Sequence, residues 1–569
     1  MGTLSINRSK RIDRLKHVVY MFLFLVAAYV VLLTQWDYLR AIEENDIFLS
    51  SHTFMVQTLA KQGGLWAWIG SFLCQFFHYP WLGALLLVGI WGAIFAVLVS
   101  AFRLKGLWQL AAWIPVASLL VSVTDIGYWI YYIQMPGYWF SQSVSFLAAA
   151  LIAWIASRLA AFVLKEKKDG VWHSAIASAA FVIASFVIGQ KFPEFRRGDY
   201  ENHLLQIPFY VAPISTALLP LTKLVKINWQ WKWKTEAVTL LALAAFSVAA
   251  YQLSFRNPDF HAELRMMQAT DECRWNDVIE EAKAARRPTN MMVVYKNIAL
   301  MHTGHLTDMF KINNCGCQPQ TGDSLRVNIS VIGGPDIYYQ FGQTNYAYRW
   351  AMEGSVQYGL RLRYVKMMAR CAIMNHEFDV AAKYIAIIKS TLFGKQWAKE
   401  REPMLRHADA LTASEEYKNI SPLLMDDVNY LDIDESLPEK WILDHFSDLR
   451  KANNDKLEDV IMCVSLWTED EYSFLIHFYE YSKNHPRESV PELYQQAAIL
   501  LSKSEQSPIN VDNFPFDEMV RQRYDRFCDE YASLANMGLD NDAMGARMKK
   551  AFGDTFWWYY YFYTDFHIY

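Results

Sequence analysis

Seven apolar runs, all before residue 254, limit what this chain can fold into. They cover roughly residues 17–35, 80–102, 108–131, 138–163, 171–190, 205–222 and 236–253. A helix needs about 20 apolar residues to cross a bilayer core. In lipid each segment must satisfy its own backbone hydrogen bonds, so isolated spans are helical. The runs predict an all-α, polytopic membrane protein with about seven transmembrane helices.

Charge divides the chain in the same place. Up to residue 253 there are 20 Lys+Arg against 12 Asp+Glu; from 254 onward there are 34 against 46. The basic part holds the apolar runs, and the acidic part reads as a water-exposed module. The expected division is a short N-terminal segment, 1–16, a membrane module, 17–253, and an extramembrane domain, 254–569. No basic face with interleaved aromatics points to nucleic acid.

Lysine and arginine near the spans set the orientation. With the N-terminus inside, 14 of these residues fall on inside segments and five on outside loops. That predicts a cytoplasmic N-terminus, a periplasmic C-terminal domain and an inner-membrane location in a Gram-negative source. The first run follows Arg8, Lys10, Arg11, Arg14 and Lys16 like a signal peptide. No small-x-small cleavage site follows VVLLTQWDY, so it reads as an uncleaved anchor.

Residues 254–569 read as helix after helix, with apolar residues at three-to-four spacing. The stretch 364–391 resembles a tetratricopeptide hairpin: Ala369 and Ala372 on one helix, Asn375-His376 at the turn, Ala381 and Ala382 on the next. No clean 34-residue period runs through the domain, so "helical-repeat-like" describes it. Such arrays present concave faces to a protein partner; a plain structural shell accounts for the same pattern. Residues 318–339 are rich in glycine and polar groups and predict a long loop or short hairpin. Residues 556–563 are all aromatic, a tail expected to pack back on the domain or rest at the membrane surface. Six of the seven cysteines lie after residue 254. Cys315-Gly316-Cys317 is too close for an ordinary disulfide and has no histidine cluster nearby, so it reads as a loop with incidental thiols, and no metal site is expected.

The first outside loop carries Asp37, Glu43, Glu44 and Asp46. An amphipathic stripe of Ile47, Phe48, Phe54, Met55 and Leu59 follows, then Gly63-Gly64 and a second apolar segment, 65–79. These predict one or two interfacial helices within about 46–79. Acids in that position either perform chemistry or keep a loop wet. As a proton acceptor Asp46 is the first candidate; Glu44 is second, as its partner or as a ligand for a divalent cation. Asp46 at a helix start is equally a helix-terminus group. In KFPEFRRGDYENH, Lys191, Arg196 and Arg197 lie outside against the charge rule. Guanidinium forks suit phosphate, which makes these three candidate donor-phosphate ligands; headgroup contact or pairing with Glu194 and Asp199 is the alternative. Asp125 falls toward the outer end of the third span, where an ionisable group ordinarily faces protein or water. His52 and His78 lack a third ligand.

Seven spans, an acidic first outside loop before juxtamembrane helices, and an outside helical domain resemble GT-C-type glycosyltransferases. Glu44-Asn45-Asp46 is similar to that family's E-x-D motif, and LAKQGG at 59–64 to the turn after its first juxtamembrane helix. The resemblance covers about residues 17–253. It implies a transferase taking sugar from a polyprenyl-phosphate lipid on the outer face. The chain also resembles uncharacterised bacterial membrane proteins, many from Bacteroidetes, with the same two-part plan. Two other readings stay open: a non-catalytic envelope scaffold that binds partners through its helical domain, and, third, a transporter, for which only Asp125 is an obvious deep ionisable group and no paired broken-helix repeat is visible.

Overall fold

The computed structural model describes residues 2–164, 171–190, 192, 196–197, 200–201, 207–224, 232–317, 328–424, 454–485, 489–503 and 510–563. Apart from one two-residue hairpin and an isolated bridge, its regular elements are helices. It divides into two compact units. The first is Met1–Asn257 with Ser355–Val365 and Ala386–Ala398; the second is Pro258–Gly354, Lys366–Ile385 and Lys399–Tyr569. Two segments far along the chain therefore belong with its beginning.

In the first unit the helices are α1 (Gly2–Leu33), α2 (Trp36–Glu44), α3 (His52–Leu59), α4 (Gly64–Cys74), α5 (Pro80–Ala101), α6 (Trp113–Thr124), α7 (Tyr138–Val163), α8 (Val171–Gly189), α9 (Ile207–Leu218) and α10 (Lys232–Leu253). Five helical stretches are long and apolar enough to cross a membrane: Pro80–Ala101, Gly106–Thr124, Tyr138–Val163, Val171–Gly189 and Glu236–Leu253. Val18–Leu33 and Trp36–Glu44 make a sixth only if counted as one span bent by 73°. The expected run at 205–222 falls short. Its helix α9 has 12 residues with Pro213 inside, followed by the 3-10 turn Leu219–Lys223. Helix and 3-10 turn together rise about 28 Å, just under a core of about 30 Å. Proline blocks the regular ladder there.

Packing follows small residues. Helix α7 lies against α8, α5 and α4, and α1 against α5 and α10. Gly70 of α4 and Gly137, just before α7, approach so closely that a Cβ on either would collide with the other's backbone. Helix α3 starts at Ser51, whose side chain accepts from Phe54 N; α4 starts at Gly63, with φ 71°. Val56, Leu59, Leu65 and Phe72 are exposed, which suits interfacial helices. Ile47 and Phe48 depart from the expected stripe. They sit in the non-helical stretch before α3, and the buried Phe48 ring packs on Phe54, Trp68 and Phe72 at 5.3–5.7 Å.

The second unit opens with α11 (Pro258–Asp271), α12 (Trp275–Ala284) and α13 (Asn290–His302), packed pairwise. Helices Asp455–Trp467 and Glu471–Asn484 pack together, as do Glu518–Asn536 and Asn541–Phe552. Its interior holds a charged knot. The Glu416 carboxylate accepts from Arg370, from Arg401 at 3.2 Å and from Tyr339 at 2.7 Å. Arg370 also reaches Asp271 at 2.8 Å. Of the expected loop, 318–327 lies outside the described residues, while Ile329–Ile332 and Gly334–Gln340 are short helices. The aromatic tail forms the helix Phe556–Phe562, packed on Asn541–Phe552 and Glu492–Leu501. Four consecutive rings, 556–559, are buried because the helix has neighbours on two sides. Trp557 Nε1 and Trp558 Nε1 each donate at 2.8 Å, to the carbonyls of Gln496 and Gly545. No disulfide joins any of the seven cysteines.

Candidate functional site

Helix α2 sets the geometry around Asp46. Tyr38, Leu39 and Ile42 bury one of its faces, and Glu43, one turn after Leu39, falls on that face. The helix stops at Asn45, and the chain runs on without helix to Ser51. Asp46 Oδ1 accepts from Ile47 N at 2.8 Å and Oδ2 from Gly137 N at 2.6 Å. Gly137 lies at φ 66°, and a Cβ there would meet Ser71 N at 2.1 Å. Only glycine brings that N–H to the carboxylate. The Cys74 thiol and Ser71 hydroxyl stand beside the same group, although the buried Ser71 Oγ stops short of hydrogen-bond geometry.

A second bracket holds the loop from the other side. Arg361 Nη1 donates to Asn45 Oδ1 at 2.8 Å, and Arg361 Nη2 to Ile133 O at 2.8 Å. Leu362 N donates to Asp46 O at 3.1 Å. Arg361 is 2 % exposed and Asp46 5 %. Burial pushes the Asp46 carboxyl up to about 6, against the pull of its bonds from Ile47 and Gly137 and of Cys74 and Ser71. The raised value reports desolvation that the hydrogen bonds only partly offset.

Beside Asp46 is a cavity of about 10 Å³, with Glu43, Ser71, Gln75, Thr391 and Phe393 in its wall. That is room for about one water. Glu43 Oε1 lies 3.3 Å from His78 Nδ1, and the His78 ring stacks on Phe393 at 4.8 Å. Gln75 Oε1 accepts from Leu392 N at 2.8 Å.

The structure gathers some of the sequence candidates and separates others. Asp46 is at the centre. Glu44 is half-buried on α2 and does not line the cavity; Glu43 does. Asp125 caps the C-terminus of α6, half-buried near Tyr38, and also does not line it. Lys191 lies outside the described residues. Arg196 and Arg197 form strand β1, paired antiparallel with β2 (Tyr200–Glu201); their side chains are outside the description. Sequence reasoning missed Gly137 and Arg361. A Pro-Gly pair before an apolar run was a signal for the first. Arg361, 316 residues beyond Asn45, offered none.

No curated protein and no solved structure matches the chain. One family model does, over residues 10–563, and its description is a family of unknown function. The chain belongs to that family, DUF6057.

Proposed function

We propose that this protein is a non-catalytic scaffold of the bacterial inner membrane, with its residues after 254 on the periplasmic side. The observation that supports this reading is the engagement of Asp46. A general base needs a free lone pair within hydrogen-bond reach of the incoming hydroxyl. Each Asp46 oxygen gives one of its two lone pairs to a backbone N–H bond, and the space beside the remaining pairs takes about one water, too little for an incoming sugar hydroxyl. Arg361 and Asn45 pin the same loop. The group is arranged to hold the first outside loop against the start of α7. On this reading α1, α9 and the five longer stretches make seven spans, and the helical-repeat-like domain offers its surface to an envelope partner.

A GT-C-like sugar transferase is the second reading. Two observations favour it: the Asp46 carboxyl at about 6, within the range of a working base, and the Glu43–His78 pair beside it. Here Glu43 takes the place that the E-x-D motif gave to Glu44. One experiment separates the readings. Full-length protein in nanodiscs is titrated with polyprenyl-phosphate sugars, wild type beside Asp46→Asn. A scaffold shows no saturable binding, a changed thermal midpoint in the variant, and a defined protein adduct when intact cells are crosslinked. Saturable donor binding, kept in Asp46→Asn while sugar transfer is lost, would overturn the scaffold.

A further inference from the structure

The second unit contains a larger cavity, of about 310 Å³. Helix α13 ends there with Met301 and His302, and the turn through Gly304, at φ 74°, brings in Leu306. The first two turns of helix Asp455–Trp467 supply Asp455, Lys456 and Asp459. This size is at the lower end of small-molecule sites.

Lys456 is the unusual group. Its Nζ donates to His302 Nδ1 and to Asn419 O, both at 2.8 Å. An ammonium has no lone pair, so His302 accepts at Nδ1 and carries its proton on Nε2. That nitrogen donates to Gln340 Oε1 at 2.8 Å. Gln340 is buried, and the His302 ring lies on Trp275 at 4.5 Å. The imidazole is fixed and neutral: burial, then the Lys456 charge, hold it well below its ordinary value. Two of the three ammonium donors are used, both on neutral acceptors. Among the described residues no carboxylate pairs with Lys456, and burial lowers it to about 8. A half-buried cation whose bonds, among the described residues, go to neutral acceptors is costly, and an anion in the cavity relieves that cost.

The opposite charge lines the same space. Asp459 Oδ1 accepts from Tyr494 OH at 2.6 Å, which leaves its second oxygen for a ligand. Asp455 is exposed at the edge. Two carboxylates oppose a phosphate dianion, and a simple carboxylate makes no use of them. Positions 456 and 459 are neighbours on a helix, with Cβ atoms about 5–6 Å apart, a span that one small molecule with separated charges can cover.

We propose that this cavity binds a small zwitterion, an α-amino acid or short peptide, with its carboxylate on Lys456 and its ammonium against Asp459 and Asp455. His302 is a positioning residue, holding the Lys456 head where the carboxylate docks. Met301 and Leu306 give the side chain an apolar wall.

Asp455 also stands within 4.8 Å of ligand atoms of Glu458 and His485, a trio able to hold a metal ion. The test therefore runs in EDTA. Full-length protein in detergent is titrated calorimetrically with glycine, L-alanine and L-alanyl-L-alanine, and with acetate, methylamine and inorganic phosphate as single-charge or dianionic probes. At least one zwitterion binds saturably. Acetate and methylamine bind weaker by about tenfold or more, the usual worth of a charged hydrogen bond. Lys456→Met, which keeps the stem's packing, abolishes binding; Asp459→Asn weakens the zwitterion by about tenfold and leaves acetate unchanged. Failure of all three zwitterions, preference for phosphate, binding only with added Mg²⁺ or Zn²⁺, or binding retained in a folded Lys456→Met each overturns the assignment.

Discussion

The carboxyls of Asp46 and Glu416 are shifted in opposite senses, and the pH dependence of stability separates them. Asp46 has a folded value raised from 3.8 to about 6 by burial. The stability linked to its protonation is fully present below about 3.8 and is lost as pH rises through about 6, a loss of about 3 kcal/mol. Burial also acts to raise Glu416, but the charges of Arg370 and Arg401 and the bonds from Tyr339 and Arg370 outweigh it, leaving it near 2. Its stabilisation is present above the ordinary value of 4.5 and disappears as pH falls toward 2. Thermal midpoints in detergent between pH 3 and 8 should thus decline for wild type between about 4 and 6. In Asp46→Asn that alkaline limb flattens while the Glu416 acid limb persists. An unchanged alkaline limb in the variant assigns the slope to another group. Asp46 could be found from sequence because an acid in a short outside loop is a local signal. Between Glu43 and Glu44 helical phase decides which acid faces the cavity: besides the helices after Asp46, α2 lies before it and turns Glu43 inward with Leu39 and Ile42.

Among elements, the contact between α4 and the start of α7 is the most constrained. Gly137→Ala puts a side chain at φ 66° and a Cβ 2.1 Å from Ser71 N. It should cost about 2–4 kcal/mol through strain and overpacking and pull the Gly137 N–H away from Asp46. Gly89→Ala in α5 is the matched control, with nothing within 4 Å of its added Cβ. A midpoint lowered in Gly89→Ala as much as in Gly137→Ala would show that glycine loss itself, rather than this contact, is responsible. Helices with a continuous apolar run were legible because burial in lipid demands only hydrophobicity. For run 205–222 hydropathy averages over the prolines, whereas the backbone ladder does not, so the apolar run alone does not fix whether it crosses. The tail at 556–563 packs back on the domain, the first of its two expected placements. Eight aromatics exceed any one helical stripe, but a short helix between two neighbours buries adjacent rings on both sides.

At the scale of the whole molecule, the charge asymmetry predicts an orientation, and two thiols make it measurable in the natural sequence. None of the stretches fit to cross a membrane among the described residues lies after residue 253. Cys317 and Cys528 are exposed and free, and Cys74 is buried in the first unit. With basic residues retained inside, an odd number of spans puts Cys317 and Cys528 outside; an even number puts them in the cytoplasm. The five stretches, the bent first pair and the short α9 segment make that parity depend on α9. A membrane-impermeant maleimide added to spheroplasts should label Cys317 and Cys528, and Cys317→Ser/Cys528→Ser should lose the signal. Labelling that appears only after permeabilisation means six crossings, with α9 failing to cross. Its 12 helical residues would then be an interfacial or re-entrant piece, and the periplasmic scaffold would be excluded along with an outer-face transferase, since both place residues after 254 outside.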